Sequence, residues 1–372
     1  MMPPSGRMVK SKPPRIRRVQ HRGAKPVTMS IHSPEGARIR PGGGAPTLEQ
    51  VAALAKVSLK TASRAVNGER YVAEATRARV LDAAHELGFQ LNRTASMLAR
   101  GVASNVVGLI TGDLANPFYS ALAKGIEQEL RRSGAQLTVA SSDEEPDRER
   151  ALVNEMVNRQ QVRALVLVST VEDHRDMQAV QMRGVPVVFV DRIGVGIDAD
   201  SVLLDNVGGS RIATEHLIAG GHRSIGFIGD LSRLATHRER FSGFSEAMTQ
   251  AGLDPGRFAR HGAHNVTTAR EAARSLLTGP EQPTAVFASN NRITIGTISA
   301  MSELGSQPAI VGFDDFELAD VLGITVVSHS TVEMGRTAGR LALDGMGLRR
   351  SEPTTVVMET SLLVRGSGER KP

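Results

Sequence analysis

Polar side chains recur directly after short apolar runs in the C-terminal three quarters of this sequence. Asp191 and Arg192 follow one such run, and Asp314 follows another at residues 309–313. Carboxylates accept hydrogen bonds from neighbouring hydroxyl groups, and an arginine supplies a rigid fork of donors. These residue types suit a small polar ligand such as a polyol. Taken singly, each side chain could equally cap a loop or form a salt bridge.

A second set of side chains could read DNA. Lys60 and Arg64 lie about one turn apart in the helical segment 59–66, with Leu59 beside them. Arginine pairs bidentately with O6 and N7 of guanine, and lysine reaches the same base edge or a phosphate. Two charges alone would more often solvate an exposed face, so the surrounding elements decide the interpretation.

Those elements predict a helix-turn-helix. Thr47 and Gln50 form a capping box at the start of one helix, and Ser58 is the N-cap of the next. Small residues in both helices allow a close crossing, and a third helix is expected over about 73–87. In this motif the second helix lies in the major groove, which favours DNA contact by the residues of 59–66.

From about residue 105, short apolar runs alternate with helical segments. The runs lie at residues 106–110, 137–140, 164–168, 185–190, 225–228, 285–288 and 309–312. Such alternation predicts parallel sheets with helices on both faces. There are more units than one open sheet usually needs, so we expect an all-α head followed by two doubly wound α/β lobes.

Charge and composition limit the function classes. Residues 1–44 carry ten Lys or Arg against one Glu, a balance of +9, whereas residues 102–372 carry −6. A positive front suggests a polyanionic partner, with a solubilising tail as the alternative for 1–44. Residues 1–46, rich in Pro, Gly, Arg and Ser, are predicted to be a disordered basic extension. No run approaches 18 apolar residues, so we expect no membrane partner and a cytoplasmic location.

Catalytic and metal chemistry find little support. The chain has no cysteine, which excludes disulfides, thiolate metal sites and a cysteine nucleophile. Glu215, His216 and His222 resemble a metal site only loosely, and a turn histidine is the favoured interpretation. There is no nucleophile elbow and no acid/base pair with catalytic spacing. We therefore expect no enzyme activity, no cofactor, no metal and no catalytic residue.

The string TLEQVAALAKVSLKTASRAVNGERYVAEATRARVLDAAHELGFQLNRTASMLARG, residues 47–101, resembles the head of the lactose/galactose-repressor (LacI/GalR) family of bacterial regulators. The resemblance implies a DNA-binding head over 47–91 and a hinge helix with linker over 92–103. It implies DNA contact by Thr47, Ser58, Leu59, Lys60, Thr61, Ser63, Arg64 and Asn67 of the head, and by Asn92, Arg93, Ala95 and Leu98 of the hinge.

The hinge helix should be conditional. A helix over 93–100 is too short to be stable alone in water, so we expect it to fold when paired with its twin on DNA. Leu98 would then wedge between base steps from the minor groove. Packing of Leu98 against the core of the head is the alternative.

The rest of the chain resembles the family's periplasmic-binding-protein-like sensor, here over 104–366. The implied first lobe is about 104–206 with 330–350, and the second is 207–329 with 351–366, leaving 367–372 as a tail. The implied effector contacts are Asn116, Phe118, Asp191, Arg192, Arg240, His264, Asn290, Asp314 and His329. Asn291, His264 and His329 depart from the family pattern, which leaves the identity of the ligand open.

These features together predict a homodimeric transcriptional regulator, with repression as the expected mode. Its affinity for a near-palindromic double-stranded DNA operator would be controlled by a small polar effector, first of all a sugar, bound between the lobes. A nucleobase or nucleoside is the alternative effector. A sugar-binding protein without a role in gene regulation would need an export signal and no DNA-binding head, and the sequence shows the reverse.

Overall fold

Three parts of the chain are described by the computed structural model: residues 46–89, 105–347 and 352–372. Contacts divide the chain into Met1–Leu91 and Asn92–Pro372, and each unit is considered by itself. The expected basic extension, up to residue 45, lies outside the described residues. So does the expected hinge with its predicted DNA contacts Asn92, Arg93, Ala95 and Leu98.

The described residues of the first unit, which we call the head, form three helices: α1 (Leu48–Leu54), α2 (Leu59–Val66) and α3 (Glu74–Glu86). The capping box at the start of α1 is present, with Thr47 N–H donating to Gln50 Oε1 over 2.9 Å and Gln50 N–H donating to Thr47 Oγ1 over 3.3 Å. Ser58 Oγ accepts from Thr61 N–H at the start of α2, over 3.1 Å. These caps satisfy backbone donors that have no partner within the helices.

Small side chains form the centre of the head. Val51, Ala62, Ala65 and Val80 are at most 2% exposed and come from all three helices. Alanines at these positions let short helices approach closely, which a helix-turn-helix needs. The predicted head architecture is confirmed.

In the second unit, which we call the sensor, the described residues form two six-stranded sheets. The strands of the first are β1 (Val106–Thr111), β2 (Gln136–Ser141), β3 (Ala164–Leu167), β4 (Val187–Val190), β5 (Asp200–Leu204) and β11 (Thr355–Met358), in the order β11-β5-β4-β3-β1-β2. All its pairings are parallel. β3 and β4 are buried along their whole length, as expected for strands covered on both faces.

Helices cover both faces of the first sheet. They are α4 (Pro117–Arg132), α5 (Pro146–Asn154, continued by a π turn over Glu155–Arg159), α6 (Gln178–Met182, preceded by a 3₁₀ turn over Arg175–Met177) and α11 (Thr331–Gly345). Helices α4 and α11 touch through glycines. A Cβ on Gly125 would lie 2.1 Å from the Val332 carbonyl oxygen, so only glycine permits this approach.

The second sheet repeats this plan. Its strands are β6 (Ile225–Ile228), β7 (Ala259–Arg260), β8 (Ala285–Ala288), β9 (Ala309–Phe313), β10 (Thr325–Ser328) and β12 (Ser361–Leu363), in the order β12-β10-β9-β8-β6-β7. Only β12 is antiparallel to its neighbour among the described strands. Its helices are α7 (Asn206–Ala219), α8 (Ala235–Gln250), α9 (Val266–Leu277) and α10 (Asn291–Leu304). The predicted pair of parallel-sheet lobes is confirmed.

The assignment of 351–366 to the second lobe was wrong in part. Strand β11 pairs in parallel with β5, with Thr355 opposite Ser201 and Met358 opposite Leu204, so residues 355–358 belong to the first sheet. The chain then crosses again, and β12 pairs with β10. Local sequence does not separate these strands, because both are short and only the partner strand decides the sheet.

Residues 367–372 are also more than a tail. Ser367 is 1% exposed, accepts from Thr325 N–H over 2.8 Å and donates to the Ile310 carbonyl over 2.6 Å. The Arg370 carbonyl lies 2.8 Å from His222 Nε2. The C-terminal residues are therefore part of the second lobe, and His222 has a structural role there.

Candidate functional site

One face of α2 carries the predicted base-reading residues. Leu59, Lys60 and Arg64 are exposed, Leu59 by 47%, whereas Ala62 and Ala65 face the core. The Arg64 guanidinium lies 3.5 Å from the Glu69 carboxylate, and both side chains are more than two-fifths exposed. Such a surface pair is weak, so Arg64 can exchange this partner for a base edge at little cost.

Other predicted DNA contacts also shape the head. Asn67 Nδ2 donates to the Ser63 carbonyl over 2.6 Å at the end of α2. Thr61 Oγ1 lies 2.8 Å from Ser58 Oγ. Thr47 belongs to the capping box described above, and it is exposed. Ser58 and Asn67 thus fix the two ends of α2, which presents Lys60 and Arg64, and Thr47 fixes the start of α1.

A polar cavity of about 50 Å³ lies between the two lobes of the sensor. The first lobe contributes Asp113, Asn116, Phe118, Tyr119, Glu144, Asp191 and Arg192, and the second contributes Asp230, Thr236, His237, Arg240, His264, Ser289, Asn290, Arg292 and Asp314. Most of these follow a strand or begin a helix. The carboxyl ends of both sheets thus meet at one site, where ligands bind in folds of this class.

Asp191 follows β4 directly and is 6% exposed, yet its carboxylate accepts no hydrogen bond from the described residues. The nearest cationic atom is Arg192 Nε, at 3.7 Å. Burial raises the pKa of Asp191 to about 6, and the nearby Arg192 and Arg240 only partly oppose this effect. An acceptor of this kind favours a partner that brings its own hydroxyl donors.

Arg192 is held firmly by Glu144. Its two terminal nitrogens donate to the two oxygens of the Glu144 carboxylate over 2.7 and 2.8 Å, and one of them also donates to the Ser169 carbonyl. Burial would raise the pKa of Glu144, but Arg192 outweighs it and the pKa lies below its usual range. Arg192 Nε is buried and donates no hydrogen bond among the described residues, although the Asp191 carboxylate lies 3.7 Å away. One donor thus remains available to a ligand.

Arg240, on α8, is a buried arginine of the second lobe that lines the same cavity. It donates from Nε to Asn206 Oδ1 over 2.8 Å and from a terminal nitrogen to the Ser289 carbonyl over 2.6 Å, and it lies 3.4 Å from Asp314. Its guanidinium carbon is 3.8 Å from the centre of the Phe313 ring. These contacts fix the guanidinium beside the cavity.

Asp230 organises the neighbouring part of the cavity. Its two carboxylate oxygens pair with His264 Nδ1 at 2.8 Å and with Asn290 Nδ2 at 2.9 Å. The hydrogen bond to Asp230 raises the pKa of His264 above its ordinary value. Asn290 Oδ1 also caps α10 by accepting from Ile293 N–H over 2.8 Å. Both residues line the cavity, His264 with Nδ1 engaged by Asp230 and Asn290 with a hydrogen bond at each amide atom.

Side chains from the two lobes bond directly across the cleft. Arg233 donates to Thr170 Oγ1 over 2.7 Å and to the Glu144 carbonyl over 2.8 Å. Asn291 Nδ2 donates to Asn116 Oδ1 over 2.9 Å, and Arg292 forms an ion pair with Asp113. Because every one of these bonds joins one lobe to the other, they hold the lobes in a closed arrangement.

Eight of the nine predicted effector residues line this cavity, but His329 does not. Its Nε2 lies 2.9 Å from Asp314 Oδ1, and its ring stands edge-on to Phe118 with centroids 5.8 Å apart. Burial would raise the pKa of Asp314, but Arg240 and His329 outweigh it and the pKa is lowered. His329 thus acts behind Asp314, at a point where the chain passes between lobes.

Several lining residues were missed by the sequence interpretation. Asp230 follows β6 by two residues, so the strand-end pattern could have found it. Glu144 follows β2 and has a left-handed φ of 59°, which no sequence signal announces. His237 lies on α8 rather than at a strand end.

Among the described residues there is no group of three or more side chains that could hold a metal ion. No helix in the described ranges is long and apolar enough to span a membrane.

Comparisons with known proteins agree with this architecture. Residues 47–92 match the family of bacterial regulatory proteins called the lacI family, and residues 214–368 match a periplasmic binding protein-like domain. The HTH-type transcriptional regulator CelR of Thermobifida fusca is 33% identical over 336 residues, 87% of this chain and 98% of its own. GalR of Escherichia coli is 27% identical and covers 86% of this chain and 95% of its own.

Solved structures show the same likeness. A complex of the transcriptional regulator CelR with cellobiose has 32% sequence identity and a TM-score of 0.65, covering 87% of this chain and 99% of its own. A lac repressor dimer bound to operator and the anti-inducer ONPF has 26% identity and a TM-score of 0.70, with the same coverage. The predicted family is confirmed: this chain belongs to the lacI family of bacterial DNA-binding transcriptional regulators.

Proposed function

We propose that this regulator is a repressor and that an uncharged sugar, bound between its lobes, controls its affinity for the operator. The cavity lining supports this assignment, and one relative has been solved in complex with cellobiose. The proposed contacts are Asn116, Phe118, Asp191, Arg192, Arg240, His264, Asn290 and Asp314, while His329 positions Asp314.

The observation that carries the proposal is the unmet hydrogen-bonding capacity of neighbouring residues. The Asp191 carboxylate accepts no hydrogen bond and Arg192 Nε donates none among the described residues, although both residues are buried and form only a long ion pair with each other, at 3.7 Å. Buried polar groups are costly unless they are paired. A sugar hydroxyl both donates and accepts, so adjacent hydroxyls satisfy an acceptor and a donor at once.

The charge of the cavity argues against anionic effectors. Five carboxylates line it (Asp113, Glu144, Asp191, Asp230 and Asp314) against three arginines (Arg192, Arg240 and Arg292). Each arginine is already close to a carboxylate. A phosphate group would therefore meet excess negative charge in a buried site, where repulsion is strong.

On DNA, a homodimer would place two copies of α2 in successive major grooves of a near-palindromic operator. The hinge helices would pair in the minor groove, with Leu98 as the wedge. Closing the lobes around the effector would change the spacing of the two hinge helices. This change would couple the effector site to operator binding.

Ligand binding is tested on the full-length protein by thermal shift and calorimetry. The panel contains glucose, galactose, ribose, cellobiose, glucose 6-phosphate, adenosine and guanosine. Stabilisation by a neutral sugar is expected. Stabilisation by the nucleosides alone, or by the sugar phosphate alone, overturns the assignment of the effector.

DNA binding is tested by selecting duplexes from a random library and measuring fluorescence anisotropy against random competitor. We expect an enriched near-palindrome whose affinity changes when the stabilising sugar is added. Leu98→Ala should weaken binding to that site and spare nonspecific binding. Equal affinity for selected and random duplexes, with and without sugar, contradicts the proposal.

We further propose that the protein turns over no substrate and acts in the bacterial cytoplasm, where its operator lies. Incubation with the panel sugars, followed by chromatography, should return each sugar unchanged. A new product would contradict a purely regulatory role.

A further inference from the structure

His237 is a buried cavity residue that neither the strand-end pattern nor the family resemblance indicated. It lies in the first turn of α8, is 4% exposed and lines the cavity beside Arg240 and Thr236. Asp191 and Arg192 line the same cavity from the other lobe. An imidazole in this place can exchange a hydrogen bond with whatever fills the cavity.

The two ring nitrogens of His237 differ in their partners. Nε2 lies 3.1 Å from Nδ1 of His261, which follows β7. Nδ1 is buried and has no hydrogen-bond partner among the described residues. A buried nitrogen without a partner costs free energy, so binding a molecule that pairs with it is favoured.

The imidazole is neutral at physiological pH. Burial lowers the pKa of His237 to about 4, and the adjacent His261 acts in the same direction. A neutral imidazole has one N–H and one lone pair. If His261 donates to Nε2, then Nδ1 carries the proton and donates. If Nε2 donates to His261, then Nδ1 accepts. A hydroxyl group can serve either state.

Packing holds the ring in place. It lies parallel to the Phe241 ring, at 3° with centroids 6.4 Å apart, and close to Phe227. Gly229, just after β6, packs against the Cε1–Nδ1 edge of the ring, because a Cβ there would come within 2.4 Å of His237 Cε1 and 2.7 Å of Nδ1. A ring fixed on three sides is preorganised for one contact direction.

We propose that His237 contacts the effector directly, exchanging a hydrogen bond between Nδ1 and an effector hydroxyl while His261 holds Nε2. This inference rests on the proposed sugar-regulated function. It makes His237 a specificity-determining residue, because an effector without a hydroxyl at that position leaves Nδ1 unpaired.

Two substitutions separate this contact from a structural role. The side-chain amide of Asn reaches about as far as Nδ1 of histidine, whereas that of Gln reaches about as far as Nε2. With the panel sugar that stabilises the wild type most, calorimetry should give His237→Asn an affinity within a few-fold of wild type. His237→Gln should lose about tenfold, the loss expected for one buried hydrogen bond. His85→Asn, an exposed substitution in α3, is the matched control and should change nothing.

The outcomes are distinct. Wild-type affinity in both His237 variants means that the residue does not touch the effector. Retention in His237→Gln with loss in His237→Asn assigns the effect to the His261 link instead, and a lower melting temperature without sugar should accompany it. Both results overturn the inference and leave the proposed function standing. A wild-type protein that binds none of the panel sugars overturns the proposed function and this inference with it.

Discussion

Asp191 and Asp314 occupy equivalent positions in the two lobes of the sensor. Each follows the third strand from one edge of its sheet, β4 or β9, and each has a left-handed backbone, with φ of 69° and 66°. Their backbone N–H groups donate to Val202 and Val327 of the neighbouring strands, both over 2.9 Å. Aspartate tolerates this conformation better than most residues. The repeated fold therefore aims two carboxylates into one cavity.

The two carboxylates are partnered differently. Asp314 is neutralised by Arg240 and by the hydrogen bond from His329, and its pKa is lowered. Asp191 has an ion pair with Arg192 at 3.7 Å but no hydrogen bond from the described residues, and burial raises its pKa to about 6. The protein itself therefore partners Asp314, whereas Asp191 can still accept hydrogen bonds from a ligand.

Asp191→Asn should change the pH dependence of the sensor. A carboxyl whose folded pKa lies above its unfolded value destabilises the fold once it is ionised, on the order of 3 kcal/mol at neutral pH. In the unliganded protein this contribution should disappear as the pH falls from 7 through 6 towards 4. Urea denaturation at several pH values should show the free energy of unfolding of the wild type rising relative to that of Asp191→Asn as the pH falls. A difference between the two proteins that stays constant with pH contradicts this prediction.

The affinity for sugar should change with pH in the opposite direction to the stability, decreasing as the pH falls. Effector hydroxyls donate to the ionised Asp191 carboxylate, so protonation competes with binding. We expect wild-type affinity to fall as the pH drops below about 6, and the fall to be much smaller in Asp191→Asn. Calorimetry at pH 5 to 8 measures this; parallel pH profiles for both proteins would remove Asp191 from the contact set.

Glu144→Gln should destabilise the sensor strongly. The substitution removes the carboxylate that binds both terminal nitrogens of the buried Arg192 and leaves only Asp191, at 3.7 Å, as an opposite charge. Breaking a buried ion pair in this way costs about 3 kcal/mol or more. Both side chains are at most 7% exposed, so water cannot compensate. Glu145→Gln, an exposed neighbour, is the control. The test is the free energy of unfolding, measured by urea denaturation and monitored by circular dichroism. Equal values for both variants would contradict the structural role of the Arg192–Glu144 pair.

Arg233→Ala should favour the open arrangement of the lobes. It removes both hydrogen bonds that Arg233 donates across the cleft, to Thr170 and to the Glu144 carbonyl. Because closure is coupled to binding, sugar affinity should fall by roughly threefold to tenfold. Arg257→Ala, which breaks an exposed ion pair with Glu281, is the control. X-ray scattering should show a larger radius of gyration for Arg233→Ala. Unchanged scattering and affinity would mean that the Arg233 hydrogen bonds do not hold the lobes closed.

Arg64→Ala should relax operator specificity. A bidentate contact to guanine is worth about 1–3 kcal/mol of discrimination, whereas a phosphate contact affects all sequences alike. Arg79→Ala removes an exposed charge from α3 and serves as the control. Competition between the selected duplex and random DNA measures the ratio of specific to nonspecific affinity. If both variants lose specific and nonspecific affinity equally, Arg64 does not read bases.

The sequence alone determined the local structure. Thr47, Gln50 and Ser58 cap helices within three residues of themselves, and apolar runs such as 225–228 and 285–288 are the strands β6 and β8. These features depend on interactions between near neighbours, so periodicity and capping rules suffice to find them.

The tertiary structure decided which distant residues meet. The partner of Arg192 is Glu144, 48 residues away, and Arg233 reaches Thr170 from the other lobe. Strand β11 joins the first sheet and β12 the second, although only two residues separate them. His237 faces the cavity because α8 turns it there. Such pairings depend on how the whole chain closes on itself, and no local pattern records that choice.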